Sequence, residues 1–229
     1  MLSNRLKYIV VCCSVLIACF CALTVFAQGA TKPVVVIDPA HGGADPGVLG
    51  IDETAEKDIT LAIALALAKE LAKESSVQVV LTRNSDKAVS LEERRKIISE
   101  QKPAIVLSLH ANAGFGKTAS GYELYYPGFK NIAQGGKDAA GKAVAGSHQY
   151  LNDTVKMARL VQKNFNAIFP RKDRGLREAE VPLAAGLTAP VLTVEIGFAT
   201  SPEDKKKLAT AKTQTQIAQA LAKSIKSFF

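Results

Sequence analysis

The chain has 229 residues, is 48% hydrophobic and carries a formal net charge of +8. This length is enough for one domain with a sizeable core. All four cysteines lie at or before Cys21, so a domain that begins after them has no disulfide, thiolate ligand or cysteine nucleophile. The lysines are scattered and lack interleaved aromatic residues, which argues against nucleic-acid binding.

The first 27 residues predict an export signal. Arg5 and Lys7 precede a long apolar run, and the sequence VFA offers small residues for cleavage after Ala27. Two alternatives stay open, because about 20 apolar residues can span a bilayer and the sequence LIAC resembles a lipoprotein-processing site. In each case residues 28–229 form a domain in the periplasm, cell envelope or medium, with membrane contact only through the N-terminus. Losing Arg5 and Lys7 lowers the net charge from +8 to +6, which suits an anionic envelope polymer.

After Pro33, β-branched runs alternate with helical patterns. This order predicts a single α/β domain with a largely parallel, twisted sheet of about five to six strands and helices on both faces. The predicted strands are Val34–Asp38, Val77–Thr82, Ala104–Leu109, Gly121–Tyr126 and Val191–Ile196. Helices are predicted over 56–74, behind a capping box at Ser90–Glu93, over 151–169, after Ser201, and along the stripe Ile217, Leu221, Ile225 and Phe228. Residues 127–149 predict an inserted surface loop, and we expect a monomer.

Three polar residues are predicted at the carboxyl ends of strands, where open α/β sheets bind ligands. His41 follows the first strand, His110 ends the strand AIVLSL, and Glu195 lies in the apolar run VLTVEI. Two imidazoles and a carboxylate form a ligand set of catalytic zinc, with one position left for water. A further carboxylate is needed to accept a proton from that water. Glu56 is the fourth candidate, and the pattern does not say which glutamate is the ligand and which the base.

Each of these residues also has a purely structural interpretation. His41 among glycines suits a turn, His110 suits a hydrogen-bonded strand end, and Glu56 suits ordinary helix capping. Glu195 is harder to explain structurally, because a carboxylate in an apolar strand is costly unless it is paired or bound to a cation. His148 is expected to be a solvated loop residue. The competing carboxylates are Asp45, Glu53 and Glu123.

The motifs IDPAHGGADPGVLG, EKDITLAIA, SLHANA and APVLTVEIGFATSPED resemble, in this order, those of the zinc-dependent N-acetylmuramoyl-L-alanine amidases. The segment DRGLREAEVPLAAGLTAP is also similar to that family, and the resemblance runs from Val34 to the C terminus. It implies that His41, Glu56 and His110 bind Zn²⁺ and that Glu195 is the catalytic residue. It also implies the substrate, which is the amide joining N-acetylmuramic acid to L-alanine in peptidoglycan.

Three further residues are candidates for lesser roles. Asn112 and Arg174 are candidate contacts to the glycan or peptide, although Arg174 equally suits a structural ion pair. Asp38 is a candidate acceptor that orients a ligand imidazole, with a turn role as the alternative. Some relatives carry a helix that blocks the zinc until a partner displaces it. The insertion at 127–149 does not predict such a helix, and whether a protein activator is needed stays open.

Two other functions compete with the amidase. A zinc peptidase or deacetylase acting on another envelope polymer would use the same metal ligands. A catalytically silent wall-binding or signalling module would keep the fold alone, and the presence of all four key residues argues against it. Product analysis separates the enzymes, because the amidase releases peptides that begin with L-alanine and leaves the glycan uncut.

Overall fold

A computed structural model describes residues 31–74, 76–114, 118–128 and 147–229. The predicted signal segment 1–27 and most of the predicted insertion, residues 129–146, lie outside the described residues. Among the helices that are described, none is both long enough and apolar enough to cross a membrane.

A six-stranded sheet forms the centre of the described domain. Four strands, β1, β2, β3 and β6, run parallel, whereas β4 is antiparallel to β6 and parallel to β5. The order across the sheet is β2-β1-β3-β6-β4-β5. The predicted single α/β domain with a largely parallel sheet is therefore confirmed. The strands are β1 (Val34–Pro39), β2 (Gln78–Leu81), β3 (Ile105–Asn112), β4 (Tyr122–Pro127), β5 (Asp173–Ala179) and β6 (Val191–Phe198).

Five α-helices and one 3₁₀ turn at Pro182–Ala184 connect and cover these strands in the described part of the chain. The predicted capping box is present, since the Ser90 side chain accepts from the Glu93 amide and the Glu93 carboxylate accepts from the Ser90 amide. The helices are α1 (Glu56–Ala72), α2 (Leu91–Gln101), α3 (Ser147–Phe165), α4 (Pro202–Leu208) and α5 (Ala211–Phe228).

The two faces of the sheet are covered unequally. On the first face α1, α3, α4 and α5 form a large core with alternate strand residues such as Ile37 and Leu107. On the second face α2 and the 3₁₀ turn form a smaller core with strand residues such as Val36, Val106 and Val191. Because side chains alternate along a strand, the residues two and four positions further on point to this second face. There a cavity of about 770 Å³ opens over Asp38, Ser108, His110, Thr193 and Glu195.

The structure differs from the sequence prediction at two places. Helix α3 begins at Ser147 and ends at Phe165, about four residues ahead of the predicted 151–169, so the end of the predicted insertion is helical. Strand β5 was not predicted at all. It is the edge strand next to β4, and its sequence DRGLREA is polar and mostly not buried, so it lacks the apolar alternation that marks a strand.

Candidate active site

The loop after β1 carries His41 in a backbone conformation that is unusual for a residue other than glycine. The φ angle of His41 is 62°, and Gly42 and Gly43 follow with φ of 131° and 62°. A left-handed residue needs support from its surroundings. Gly47 is a second tight position in this loop, because a Cβ there would lie 2.5 Å from His41 Cδ2 and 2.6 Å from Glu56 Oε2. The loop therefore closes directly over the two side chains.

His41, Glu56 and His110, the set that the family resemblance implies, converge in the structure. Their nitrogen and oxygen atoms lie within 4.8 Å of one another. His41 Nε2 is 3.1 Å from Glu56 Oε2, and His110 Nδ1 is 3.1 Å from Glu56 Oε1. Ligands of a tetrahedral zinc at 2.0–2.2 Å lie roughly 3.4 Å apart. The spacing and chemistry of these three side chains therefore fit a zinc-sized cation.

Backbone amides fix the Glu56 carboxylate between the two histidines. Val48 N donates to Oε2 at 2.9 Å and Ala111 N donates to Oε1 at 3.0 Å. Burial opposes ionisation, but the bonds from His110, His41 and the Val48 amide together lower the pKa of Glu56. The Glu56 hydrogen bond raises the pKa of His41 to about 9. The site is thus an anion held between two imidazoles, a set of groups that would suit a divalent cation.

The carboxylate that orients His41 is Asp45. Its Oδ2 lies 2.7 Å from His41 Nδ1, and its Oδ1 accepts from Gly47 N at 3.0 Å. An acceptor on the second ring nitrogen fixes the tautomer and direction of a metal-binding imidazole. Asp45 was a competing metal ligand in the sequence analysis, whereas the structure places it outside the three converging groups.

Asp38 does not contact an imidazole, so the prediction that it orients a ligand histidine is wrong for this structure. Its carboxylate accepts hydrogen bonds from Thr82 Oγ1 at 2.5 Å, Ser108 Oγ at 3.0 Å and Arg94 Nη1 at 2.7 Å. Asp38 lies on the second face of the sheet, beneath α2, and its oxygens are occupied by these three donors. Arg94 links this carboxylate to the His41 loop.

Two buried arginines hold the backbone of the His41 loop, and the sequence analysis missed both. Arg94 donates to the carbonyls of Pro39 at 2.7 Å and of His41 at 2.5 Å. Arg83, which is 1% exposed, donates to the carbonyls of Pro39 at 2.9 Å and Ala40 at 2.8 Å. For Arg83 the sequence did contain a signal, because this arginine directly ends the apolar strand sequence VVLTR. An arginine buried at such a position needs several hydrogen-bond acceptors.

Glu195 lies beside the three converging residues. It is the Cα partner of His110 across β3 and β6, and its Oε2 is buried without a hydrogen-bond partner among the described residues. Burial raises the pKa of Glu195 to about 7, although His110 acts in the opposite direction. A desolvated carboxylate of this kind is a strong proton acceptor at neutral pH.

The remaining predicted residues meet at Glu123, the Cα partner of Glu195 on β4. Asn112 Nδ2 donates to Glu123 Oε2 at 3.0 Å, and Arg174 Nε donates to Glu123 Oε1 at 2.8 Å. Tyr125, which the sequence analysis missed, donates to the same carboxylate at 2.6 Å. Burial favours protonation of Glu123, but the bonds from Tyr125 and Arg174 lower its pKa. Glu123 is therefore a fixed negative charge behind Glu195.

Two other candidates lie away from these groups. Glu53 is exposed in the loop before α1, where it has a φ of 64°. His148, expected in a solvated loop, lies instead in the first turn of α3, where it is exposed. Neither residue belongs to the group of converging metal-type ligands.

The profile of the family described as N-acetylmuramoyl-L-alanine amidase matches residues 35–227. The sequence is 26% identical over 225 residues to AmiC of Escherichia coli. This match covers 88% of this chain and 54% of AmiC. The structure resembles AmiC2 of Nostoc punctiforme, with 30% identity, a TM-score of 0.73, and coverage of 87% of this chain and 98% of that one. It also resembles the amidase of Clostridium difficile 630, with 29% identity, a TM-score of 0.72, and coverage of 87% and 97%. The chain therefore belongs to the N-acetylmuramoyl-L-alanine amidase family.

Proposed function

We propose that this protein hydrolyses the amide between N-acetylmuramic acid and L-alanine in peptidoglycan, with His41, Glu56 and His110 as Zn²⁺ ligands and Glu195 as the catalytic base. Membership of the family supports the activity. The observation that carries the residue roles is the convergence of three ligand atoms within 4.8 Å, next to a buried carboxylate oxygen without a partner.

The donor set favours zinc over magnesium or calcium. Imidazole nitrogens suit zinc and other transition metals, whereas magnesium and calcium prefer oxygen ligands. Bound zinc supplies Lewis-acid polarisation of the scissile carbonyl and of the attacking water. Asp45 keeps His41 Nε2 directed at the metal position, because it accepts from the opposite ring nitrogen.

Glu195 moves the proton in this mechanism. Its carboxylate accepts a proton from the attacking water as the water oxygen bonds to the carbonyl carbon. When the carbon–nitrogen bond breaks, Glu195 returns the proton to the departing nitrogen. The products are the lactyl carboxylate of N-acetylmuramic acid and a peptide with a free L-alanine amine. Burial, which raises the pKa of Glu195 to about 7 in the metal-free protein, favours its role as a proton acceptor and donor.

The cleft on the second face of the sheet would hold the substrate. It extends from His41 and Glu195 along Thr193 and Tyr125 to Val181. Its apolar lining includes Ala88, Val89, Leu91, Pro182 and Leu183. Asn112 and Arg174 remain proposed contacts to the substrate at the Glu123 end, where each uses one nitrogen to hold Glu123.

We further propose that residues 1–27 direct export, so that the domain acts in the periplasm or cell envelope. The basic start, the apolar run and the small residues before Gln28 support this proposal. Cleavage, lipidation and an uncleaved anchor would each place the domain at its substrate.

Digestion of purified peptidoglycan by residues 28–229 tests the function. We expect release of peptides that begin with L-alanine, an uncut glycan, loss of activity with a zinc chelator and recovery on adding Zn²⁺. Mass analysis of the products checks all four. Cleavage within the peptide would instead indicate a peptidase, and release of acetate would indicate a deacetylase. Binding to the wall without any product would indicate a silent module.

A further inference from the structure

We propose that a basic cluster at the edge of the sheet, formed by Arg171, Lys172, Arg174 and Arg177, binds a carboxylate of the substrate's peptide. This inference rests on the proposed amidase function. The four side chains line a second cavity of about 410 Å³, together with Thr118, Ser120 and Asp173.

Arg177 of the basic cluster lies on the same face of the sheet as Glu195. Thr193 and Tyr125 are Cα partners across β6 and β4, and Tyr125 and Arg177 are Cα partners across β4 and β5. Side chains of directly paired residues share a face, so Thr193, Tyr125 and Arg177 form one row across the sheet. Thr193 and Glu195 are two positions apart on β6 and therefore also share this face. Neighbouring strands lie about 4.8 Å apart, which places β5 about 10 Å from β6.

A buried carboxylate fixes two of the cations. Glu123 is 4% exposed, and its Oε1 lies 2.8 Å from Arg174 Nε and 3.7 Å from Arg177 Nη2. The two arginine side chains are themselves 39% and 55% exposed. A guanidinium presents five donors in a planar fork that matches a carboxylate. Each arginine is thus anchored from below while part of its fork faces the solvent.

The basic cluster has one positive charge more than its immediate partners. Its four cations face three carboxylates, Glu123, Asp173 and Glu203, and Glu203 is shared between Lys172 at 3.0 Å and Lys207, outside the cluster, at 3.3 Å. Arg171 has no ion pair within the described ranges. Its φ is 60°, a left-handed conformation that is costly for arginine and that often marks a functional site. An incoming anion would balance the excess charge.

The chemistry of the substrate places this anion on the peptide. The lactyl carboxyl of the sugar is consumed in the scissile amide and the other glycan groups are neutral, so free carboxylates belong to the peptide. An extended peptide advances about 3.5 Å per residue, so about 10 Å corresponds to roughly three residues from the scissile bond. The cleft beside Glu195 is also lined by Glu93 and by Glu180, which follows the C-terminal end of β5. These two acids would repel a carboxylate. The peptide therefore runs from Glu195 towards β5.

Two soluble muramoyl tripeptides test this assignment, one with free carboxylates on its second and third residues and one with these groups amidated. For the first substrate we expect Arg177→Gln to raise KM about tenfold, because a partly exposed charged hydrogen bond is lost, and to change kcat less than about twofold. For the amidated substrate KM should stay the same. Arg159→Gln, an exposed arginine of α3, removes the same charge elsewhere and should change neither value.

Equal effects of Arg177→Gln on the two substrates would overturn the proposal. Inhibition of cleavage by inorganic phosphate but not by the free tripeptide would also overturn it, because the basic cluster would then bind a phosphate polymer.

Fluorescence anisotropy with the labelled muramoyl tripeptides and the Glu195→Gln protein separates this inference from the proposed function. If the wild type cleaves neither substrate, the amidase assignment fails. Tighter binding of the carboxylate form, lost in Arg177→Gln, would still support the subsite, and equal binding of both forms would overturn it.

Discussion

Glu56 and Glu195 are two glutamates beside His110 that differ in how many donors surround them. Two imidazoles and the amides of Val48 and Ala111 contact the Glu56 carboxylate, whose pKa is lowered. Glu195 Oε2 has no partner in the described chain, and burial raises the Glu195 pKa to about 7. The same side chain is therefore a fixed anion at one position and a proton acceptor at the other, because of the donors that the backbone supplies.

Exchange of each glutamate for glutamine gives the largest expected contrast. Glu195→Gln should lower kcat by roughly 10³-fold, since general-base catalysis contributes about 10²–10⁴, while zinc stays bound. Glu56→Gln should lose zinc during dialysis, because a ligand is removed. Turnover and metal content of the two proteins check this. Zinc loss in Glu195→Gln, or full activity in either variant, would mean that the two roles are assigned wrongly.

The sequence predicts the elements whose pattern is local. Apolar strands at Val34 and Val191 mark the sheet, and the polar residues His41, His110 and Glu195 stand out at their ends. The distinction between ligand and base did not follow from the pattern, and it came from the family resemblance. It depends on which carboxylate receives backbone donors, a property of the folded loop.

Contacts between distant residues explain what the sequence did not predict. Arg94 reaches the His41 carbonyl across 53 positions, and no local pattern records such a pair. Asp38 precedes His41 closely in sequence, yet its side chain points under α2. Strand β5 needs β4 as its neighbour, because its own sequence is polar.

Substitution of Arg94 removes hydrogen bonds that hold the backbone of the His41 loop. Arg94 and Asp38 form a buried ion pair at 2.7 Å, with side chains 7% and 4% exposed. Arg94→Met leaves the Asp38 charge unpaired, which costs about 3–5 kcal/mol, and it also releases the His41 carbonyl. We expect a large drop in Tm and weaker zinc binding, measured by thermal unfolding and chelator competition.

The neighbouring arginine is a matched control for this variant. Arg95 is only partly buried and donates to the carbonyl of Pro182, away from the His41 loop, so Arg95→Met should change zinc affinity little. Adding Asp38→Asn to Arg94→Met should recover part of the stability, because the unpaired charge is removed. Equal losses in the Arg94 and Arg95 variants would show that Arg94 has no special role at the loop.

The metal-free protein should lose stability as pH rises from about 5 to 9. Glu195 has a folded pKa of about 7 against an ordinary 4.5, and His41 has about 9 against 6.5. Both folded values are raised, so the folded state binds more protons and its advantage is lost as pH passes through these values. The Glu195 shift alone corresponds to about 3 kcal/mol.

Zinc should oppose this loss of stability at high pH. Imidazoles must be deprotonated to bind the metal, so the gain in Tm on adding Zn²⁺ should grow over the same pH range. Thermal unfolding with and without Zn²⁺ at several pH values measures both slopes. A metal-free Tm that rises from pH 5 to 9 would contradict the assigned environment of Glu195.

The smallest expected effect concerns the acceptor behind His41. Asp45→Asn removes the charge on the group 2.7 Å from Nδ1 and should weaken zinc binding by about 10–100-fold. Asp52→Asn removes an acid that pairs with Lys205 instead, and it is the matched control. Chelator competition gives both affinities. Because the Asp45 side chain is 64% exposed, solvent replaces part of its charge, whereas the buried Glu56 has no such replacement. An Asp45→Asn affinity equal to that of Asp52→Asn would mean that the left-handed backbone alone orients His41.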